Sequence, residues 1–369
     1  MVYVYSLEIP LEYNKYSLYD SRPDSEFQIE IDSELVWTLN FAYSCYGNNG
    51  VVKEFKGPFT IRVKAVKEDT GRGNILYSRL VCTIDDYIAE STDYACDHME
   101  RLVSLVCKHL TFEINKHNCN RQRYQPRIEA NWGKVHIKKV EEYEPYVQYL
   151  EEQRNIKEPG VIHVNDGVHI SDSVYLVVTQ HIDSTKIDYS KWICDGNYTI
   201  DFLLDEYYFA LGEESVTSKF FHLFTIIEFI EAEYKDKSSA KQLFSEEEKE
   251  QIISAVKHLL VNDSTKMSDD NKNKSAKLVS KVGQFMSETT DIGRIKKLKN
   301  ILSWLGIESI KIHEQNIEVT TDFLEKIVKL RNKSFHGNRD IEAEYIKRVE
   351  ELLYLCEKVI EGIEKLEAF

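Results

Sequence analysis

The residues best suited to chemistry lie near the C-terminus, in segment 331–337, which reads RNKSFHG. Apolar spacing predicts a helix over residues 323–336, one face of which carries Leu324, Val328, Arg331 and Phe335. A guanidinium on that apolar face costs several kcal/mol unless it meets an anion or faces a wet cleft. His336 comes next to Gly337, a residue type that commonly ends helices. Arg331 and His336 are therefore the first candidates for a reactive pair.

Each candidate also has a purely structural interpretation. In this interpretation Arg331 is a buried arginine paired with an acid such as Glu228, and His336 only ends its helix. Glu228 lies in a segment of nearly all apolar residues, so it is either a structural partner for an arginine or part of the site. His222 in the same segment is either a core or rim histidine or a residue that lines the cleft.

A family resemblance favours the reactive interpretation. Arg-Asn-x-x-x-His near a helix end, in an all-helical domain, resembles the signature Arg-x(4–6)-His of the HEPN superfamily. Segment 208–211 (YFAL), followed by segment 219–228 (KFFHLFTIIE), resembles the opening of the Apea-like HEPN group. The resemblance covers roughly residues 199–367 and does not extend to the N-terminal part.

The resemblance implies a metal-independent endoribonuclease that works as a homodimer and needs no cofactor. In that chemistry the RNA 2′-hydroxyl attacks the adjacent phosphorus, leaving a 2′,3′-cyclic phosphate and a 5′-hydroxyl. Arg331 would stabilise charge on the phosphorane, His336 would transfer protons, and Asn332 would orient either side chain. The alternative is a non-catalytic HEPN scaffold that serves as a dimerisation and binding module for a nucleic acid or ligand.

Basic residues near the motif are candidate RNA contacts, although short basic clusters usually lie on a solvated face. They are Lys333, Arg339, Arg294, Lys296 and Lys297. The expected substrate is RNA, with tRNA as one candidate. The family resemblance also suggests anti-phage defence (abortive infection) or toxin-like growth arrest, regulated by an unknown trigger or inhibitor at the N-terminal domain.

Charge and cysteine content narrow the class of protein. The 369-residue chain has a net charge of −15, which argues against a general nucleic-acid coating protein. Its seven cysteines include no Cys-x-x-Cys pair, and the densest Cys/His group, residues 96–119, fits no zinc-finger spacing. No metal site is predicted. Without a signal peptide or a membrane-spanning run, the expected location is the cytoplasm, away from membranes.

The chain divides by its proline content into an α+β arrangement. All six prolines lie before residue 160, and a proline-free tract permits an all-helical domain. We predict a strand-rich sensing domain over residues 1–194, with a helix from Thr92 to Leu110 and a hairpin over 161–170. An all-helical, HEPN-like domain is predicted over 195–369, with a loop from Asn262 to Lys274.

The last predicted helix, 341–367, carries an apolar stripe with alternating steps of four and three. Its members are Tyr345, Val349, Leu352, Cys356, Val359, Ile363 and Leu366. Such a stripe suits either a dimer interface or, more commonly, the core of a single bundle.

Overall fold

Alternating apolar and polar residues build an antiparallel sheet in the first half of the chain. The computed structural model describes residues 2–16, 25–46, 52–69, 76–117, 125–153, 176–182, 192, 198–262, 269–312, 315–335 and 342–367. The strands are β1 (Tyr3–Tyr16), β2 (Ser25–Ile31), β3 (Leu35–Tyr46), β4 (Val52–Asp69), β5 (Leu76–Ala89), β6 (Gln125–Ala130), β7 (His136–Glu142) and β8 (Leu176–Ile182). In β4, Phe59, Ile61 and Val63 are buried, as the period of two predicts.

The sheet is ordered β3-β4-β5-β1-β6, and every pairing in it is antiparallel. β1 is long enough to pair twice along one edge, with β7 along its first half and with β6 along its second half. β2 and β8 form a separate parallel pair. The predicted hairpin over 161–170 lies outside the described residues.

Three helices accompany these strands: α1 (Thr92–His117), α2 (Glu144–Gln153) and α3 (Tyr198–Gly212). One face of α1 is buried in the same core as the sheet, through Met99, Val103, Val106 and Leu110. The helix continues beyond the predicted end at Leu110 because Phe112 and Ile114 are also buried. Phe112 meets Tyr207 of α3 edge to face, with ring centroids 5.5 Å apart.

The chain forms two compact units, Met1–Lys219 and Phe220–Phe369. The sequence-based boundary lay at residues 194/195, but α3 belongs to the first unit. The Tyr208 hydroxyl donates a hydrogen bond of 2.7 Å to the Ile128 carbonyl of β6, and Lys108 of α1 pairs with Asp205 of α3. These contacts attach α3 to the N-terminal unit.

The second unit is mostly helical, which confirms the predicted α+β class. Its helices are α4 (Val216–Glu233, which begins before the unit boundary), α5 (Glu246–Asn262), α6 (Asp269–Glu288), α7 (Arg294–Trp304), α8 (Thr321–Phe335) and α9 (Glu342–Glu367). It is not all-helical, since a short antiparallel hairpin joins β9 (Ser309–Ile312) and β10 (Gln315–Glu318). The predicted loop at 262–274 is also partly wrong, because α6 already begins at Asp269 in a segment without glycine or proline.

The stripe of α9 lies inside the second unit of a single chain. Its members from Tyr345 to Ile363 are buried, whereas Leu366 is exposed. Tyr345 packs edge to face against Phe220 of α4, with ring centroids 5.4 Å apart, and the Cys356 Sγ lies 3.3 Å from the Leu223 carbonyl oxygen. The stripe is therefore core within one chain and gives no support to a dimer.

Candidate functional site

Helix α8 places Arg331 at the edge of the core. The apolar residues that precede it, Phe323, Leu324, Ile327, Val328 and Leu330, are buried. Arg331 continues the face of Leu324 and Val328, yet 28% of its side chain remains exposed. The guanidinium is thus partly desolvated and still within reach of solvent.

The N-terminus of α8 is capped by Thr320. Asp322 and Glu325 have the spacing that predicts a capping box, but the Thr320 hydroxyl caps the helix by accepting a hydrogen bond of 3.1 Å from the Phe323 amide. Asp322 and Glu325 instead form ion pairs one turn along the helix, with Lys326 and Lys329 respectively. The same spacing does form a capping box at the start of α5, where Ser245 and Glu248 each accept a hydrogen bond from the other's amide.

Glu228 of α4 receives the Arg331 side chain. Arg331 Nη2 lies 3.0 Å from Glu228 Oε1, and 39% of the Glu228 side chain is exposed. The structural interpretation of Glu228, as the partner of an arginine, therefore describes the geometry.

Arg294, at the first turn of α7, brings a second guanidinium to the same carboxylate. Its Nη2 atom lies 3.6 Å from the Glu228 Oε1 atom that Arg331 contacts. Its Nε atom lies 3.0 Å from both carboxylate oxygens of Glu231, and Nη2 also donates to Glu231. Hydrogen bonding to Glu231 raises the pKa of the Arg294 guanidinium, which stays charged at any physiological pH.

Phe224 lies beneath both guanidinium groups. The Cζ atoms of Arg294 and Arg331 are 5.8 and 5.9 Å from the centroid of its ring, which is buried. Phe224, Glu228 and Glu231 are spaced by four and three residues, so they lie on one face of α4. One helix face thus carries the apolar floor and both acids.

We name Arg294, Arg331, Glu228, Glu231 and Phe224 the arginine cluster. Its two guanidinium groups and two carboxylates balance in formal charge. The groups are arranged so that both arginines approach one oxygen atom, which is how a pair of guanidinium groups binds an oxyanion. The cluster can therefore bind another anion when the Glu228 carboxylate moves away from the two arginines.

Other predicted site residues are not brought into the cluster by the contacts described. His336 and Arg339 lie outside the described residues, so the convergence of Arg331 with His336 stays a prediction. Asn332 and Lys333 are exposed on α8. His222 lies six residues before Glu228 on α4, which rotates it by about 120° around the helix axis.

The two predicted RNA-contacting lysines of α7 differ in position. Lys296 is exposed and Lys297 is half-buried. Lys297 lies three residues after Arg294 and so extends the same side of the helix, whereas Lys296 is rotated about 160° from Arg294 around the helix axis. Only Lys297 continues the surface of the arginine cluster along α7.

Within the described ranges, no three His, Cys, Asp or Glu side chains are grouped in a way that could hold a metal ion. In the Cys/His-rich region of α1, Cys107 is buried and its burial raises the thiol pKa, which disfavours the thiolate that a metal requires. Cys119 lies outside the described residues. In the described part of the chain, no helix has the length and apolar character to cross a membrane.

The sequence alone does not predict how the cluster is assembled. It indicates Arg294 as an RNA contact and singles out neither Glu231 nor Phe224. The available signal was the pattern Phe224-x3-Glu228-x2-Glu231, two acids one turn apart in a stretch of α4 that is mostly apolar. Acids at such positions require cationic partners, and the cations come from two distant segments.

Comparisons with known proteins add no assignment. No protein-family model, curated protein or solved structure matches this chain.

Proposed function

We propose that this protein is a metal-independent endoribonuclease of the HEPN type that cleaves RNA through Arg331 and His336. The observation that carries the proposal is the environment of Arg331. The sequence predicts an arginine on an apolar stripe that needs an anion, and the side chain lies part-exposed against one carboxylate oxygen beside a second guanidinium. This is the electrostatic environment in which a phosphate could replace a carboxylate.

In the proposed reaction the RNA supplies its own nucleophile. The 2′-hydroxyl attacks the neighbouring phosphorus, the bond to the 5′-oxygen breaks, and a 2′,3′-cyclic phosphate and a 5′-hydroxyl result. Arg331 stabilises the negative charge of the phosphorane, and His336 exchanges protons with the attacking or leaving oxygen. Asn332 orients one of these groups, and Lys333, Arg339 and Lys297 contact flanking phosphates.

Regulation and assembly belong to the same proposal. The N-terminal unit binds a trigger or inhibitor, two copies associate so that two Arg/His pairs share one RNA site, and the activity serves anti-phage defence or toxin-like growth arrest. Light scattering of the purified chain, with and without RNA, tests whether a homodimer forms.

RNA cleavage in EDTA tests the enzyme. Purified full-length protein is incubated with tRNA and with total RNA, and the products are analysed for 2′,3′-cyclic phosphate ends. We expect cleavage by the wild type and a loss of at least about 100-fold in Arg331→Ala and His336→Ala, the size typical of losing a charge-stabilising or acid–base group. Lys326→Ala, an exposed charge removal on the same helix, should cleave like the wild type. Equal cleavage by Arg331→Ala and the wild type contradicts the assignment.

A non-catalytic scaffold is the second candidate, and the charge balance of the arginine cluster favours it. An arginine that serves only to hold α8 against α4 would be paired with an acid in the same way. If the protein is a scaffold, we expect the wild type to bind RNA or a partner and to produce no cyclic phosphate ends in the cleavage assay. Arg331→Ala then lowers stability without changing any catalytic rate.

A further inference from the structure

We infer that Arg294 and Arg331 together form one binding site for a phosphodiester oxyanion, which the Glu228 carboxylate occupies in the unliganded protein. The inference rests on the proposed function for the identity of the ligand, an internal phosphodiester of RNA. It adds Arg294 as a second anion-binding residue and gives Glu228 the role of an exchangeable occupant.

The two guanidinium groups converge on one oxygen atom. The Nη2 atoms of Arg294 and Arg331 lie 3.6 and 3.0 Å from the same oxygen atom, Glu228 Oε1. Two donors from separate helices that approach one oxygen define a position for an oxyanion. The carboxylate oxygen stands where a non-bridging phosphate oxygen would lie.

The two acids of the cluster differ in how firmly they are held. Glu231 accepts hydrogen bonds from Arg294 on both oxygens, and only 16% of its side chain is exposed. Glu228 meets both arginines through one oxygen, and 39% of its side chain is exposed. Glu231 is therefore a fixed partner that positions Arg294, whereas Glu228 can rotate into solvent at small cost because an exposed ion pair is weak.

The net charge of the site also favours a phosphodiester as the ligand. When Glu228 leaves, the two guanidinium groups and Glu231 retain one net positive charge above the buried Phe224 ring. A single positive charge matches an internal phosphodiester, which carries one negative charge, better than a terminal phosphate monoester, which carries close to two. The buried ring excludes water from one side and strengthens the attraction.

Binding of a non-cleavable RNA tests the inference apart from catalysis. The probe is a fluorescent single-stranded oligonucleotide with every 2′-hydroxyl methylated, so that no nucleophile is present, and its anisotropy is titrated with full-length protein. We expect Arg294→Ala to weaken binding about tenfold or more, as the loss of a charged hydrogen-bond donor would. Arg294→Lys should recover part of that affinity, because it keeps the charge without the fork-shaped donor set.

The decisive variant is Glu228→Gln. It removes the competing charge while keeping the side-chain volume, so we expect affinity for the probe to rise several-fold. A gain of affinity cannot result from misfolding, which keeps the test valid even where Arg294→Ala is unstable. The control is Lys299→Ala, which removes another ion-paired cation from α7 and should leave affinity within about twofold of the wild type.

The outcomes separate this inference from the proposed function. Equal affinities for Arg294→Ala and Lys299→Ala, or no gain in Glu228→Gln, overturn the shared site, even if Arg331→Ala abolishes cleavage. Weakened binding in Arg294→Ala with tighter binding in Glu228→Gln supports the site, even if the wild type cleaves no RNA and the enzyme proposal fails.

Discussion

Two groups of polar side chains, one in each unit, are held in different ways. In the N-terminal unit the second half of α1 includes the buried polar residues His109, Thr111 and Asn115, and Asn115 Nδ2 donates to the Thr111 and Pro126 carbonyls at 2.8 and 2.7 Å. In the C-terminal unit the charged groups around Glu228 are part-exposed and share atoms among several partners.

The difference separates polar groups that hold a fold from polar groups that can exchange partners. Breaking a buried hydrogen bond costs free energy because water cannot reach the donor and acceptor to replace the lost partner. Separating a half-exposed ion pair costs little free energy, since water can solvate both groups and another anion can replace the carboxylate. Three predictions compare buried side chains of the N-terminal unit with exposed or part-exposed side chains of the C-terminal unit, from the largest expected effect to the smallest.

Removing the Phe112 ring should cause the largest loss of stability. Phe112 is fully buried and meets Tyr207 edge to face. Phe112→Ala is expected to lower the free energy of unfolding of the N-terminal unit by about 3–5 kcal/mol. The same substitution at Phe285, which is 66% exposed on α6, should change stability by less than about 0.5 kcal/mol. Urea unfolding followed by hydrogen exchange in α1 and α6 measures both, and similar losses at the two sites would break the contrast.

His109 should make the N-terminal unit sensitive to acid. It is buried and stacks on Trp192, with ring centroids 5.1 Å apart, and its burial lowers the pKa to about 3. The unfolded chain binds a proton at this histidine near its ordinary pKa of about 6.5, while the folded protein does not. Its contribution to stability is thus fully present above pH 6.5 and is lost by about 1.4 kcal/mol per pH unit as the pH falls towards 3.

His109→Phe keeps an aromatic ring against Trp192 and removes the titrating group. We expect its unfolding free energy, measured in urea, to fall less steeply than that of the wild type as the pH is lowered from 7 to 5. The difference between the two slopes should be about 1 kcal/mol per pH unit. Hydrogen exchange in α8 of the same samples serves as the internal reference. If the two proteins show the same slope in the N-terminal unit, His109 is not the acid-sensitive group.

Glu228→Gln should have the smallest effect on stability. Because the Arg331–Glu228 pair is part-exposed, we expect the free energy of unfolding of the C-terminal unit to fall by less than about 1 kcal/mol. Breaking a fully buried pair would cost about 3–5 kcal/mol. A loss in that higher range, seen as faster hydrogen exchange in α4 and α8, would show that the pair holds the fold and is not exchangeable.

Helix positions were predictable wherever apolar periodicity was strong. The predicted helices 323–336 and 341–367 correspond to α8 and α9 within one or two residues. Patterns of polar residues were less informative. Asp322 and Glu325 have capping-box spacing, but α8 begins at Thr321, so Thr320 is its N-cap and accepts from the Phe323 amide.

The sequence by itself determined the α+β class, the apolar faces of α4 and α9, and the expectation that Arg331 needs an anion. These are local consequences of periodicity and of the cost of burying a charge. Only the tertiary structure decided that α3 belongs with α1 and β6, and that Arg294 and Arg331 meet at Glu228 above Phe224. The partners come from helices far apart along the chain, and no local pattern records which side chains long-range packing brings together.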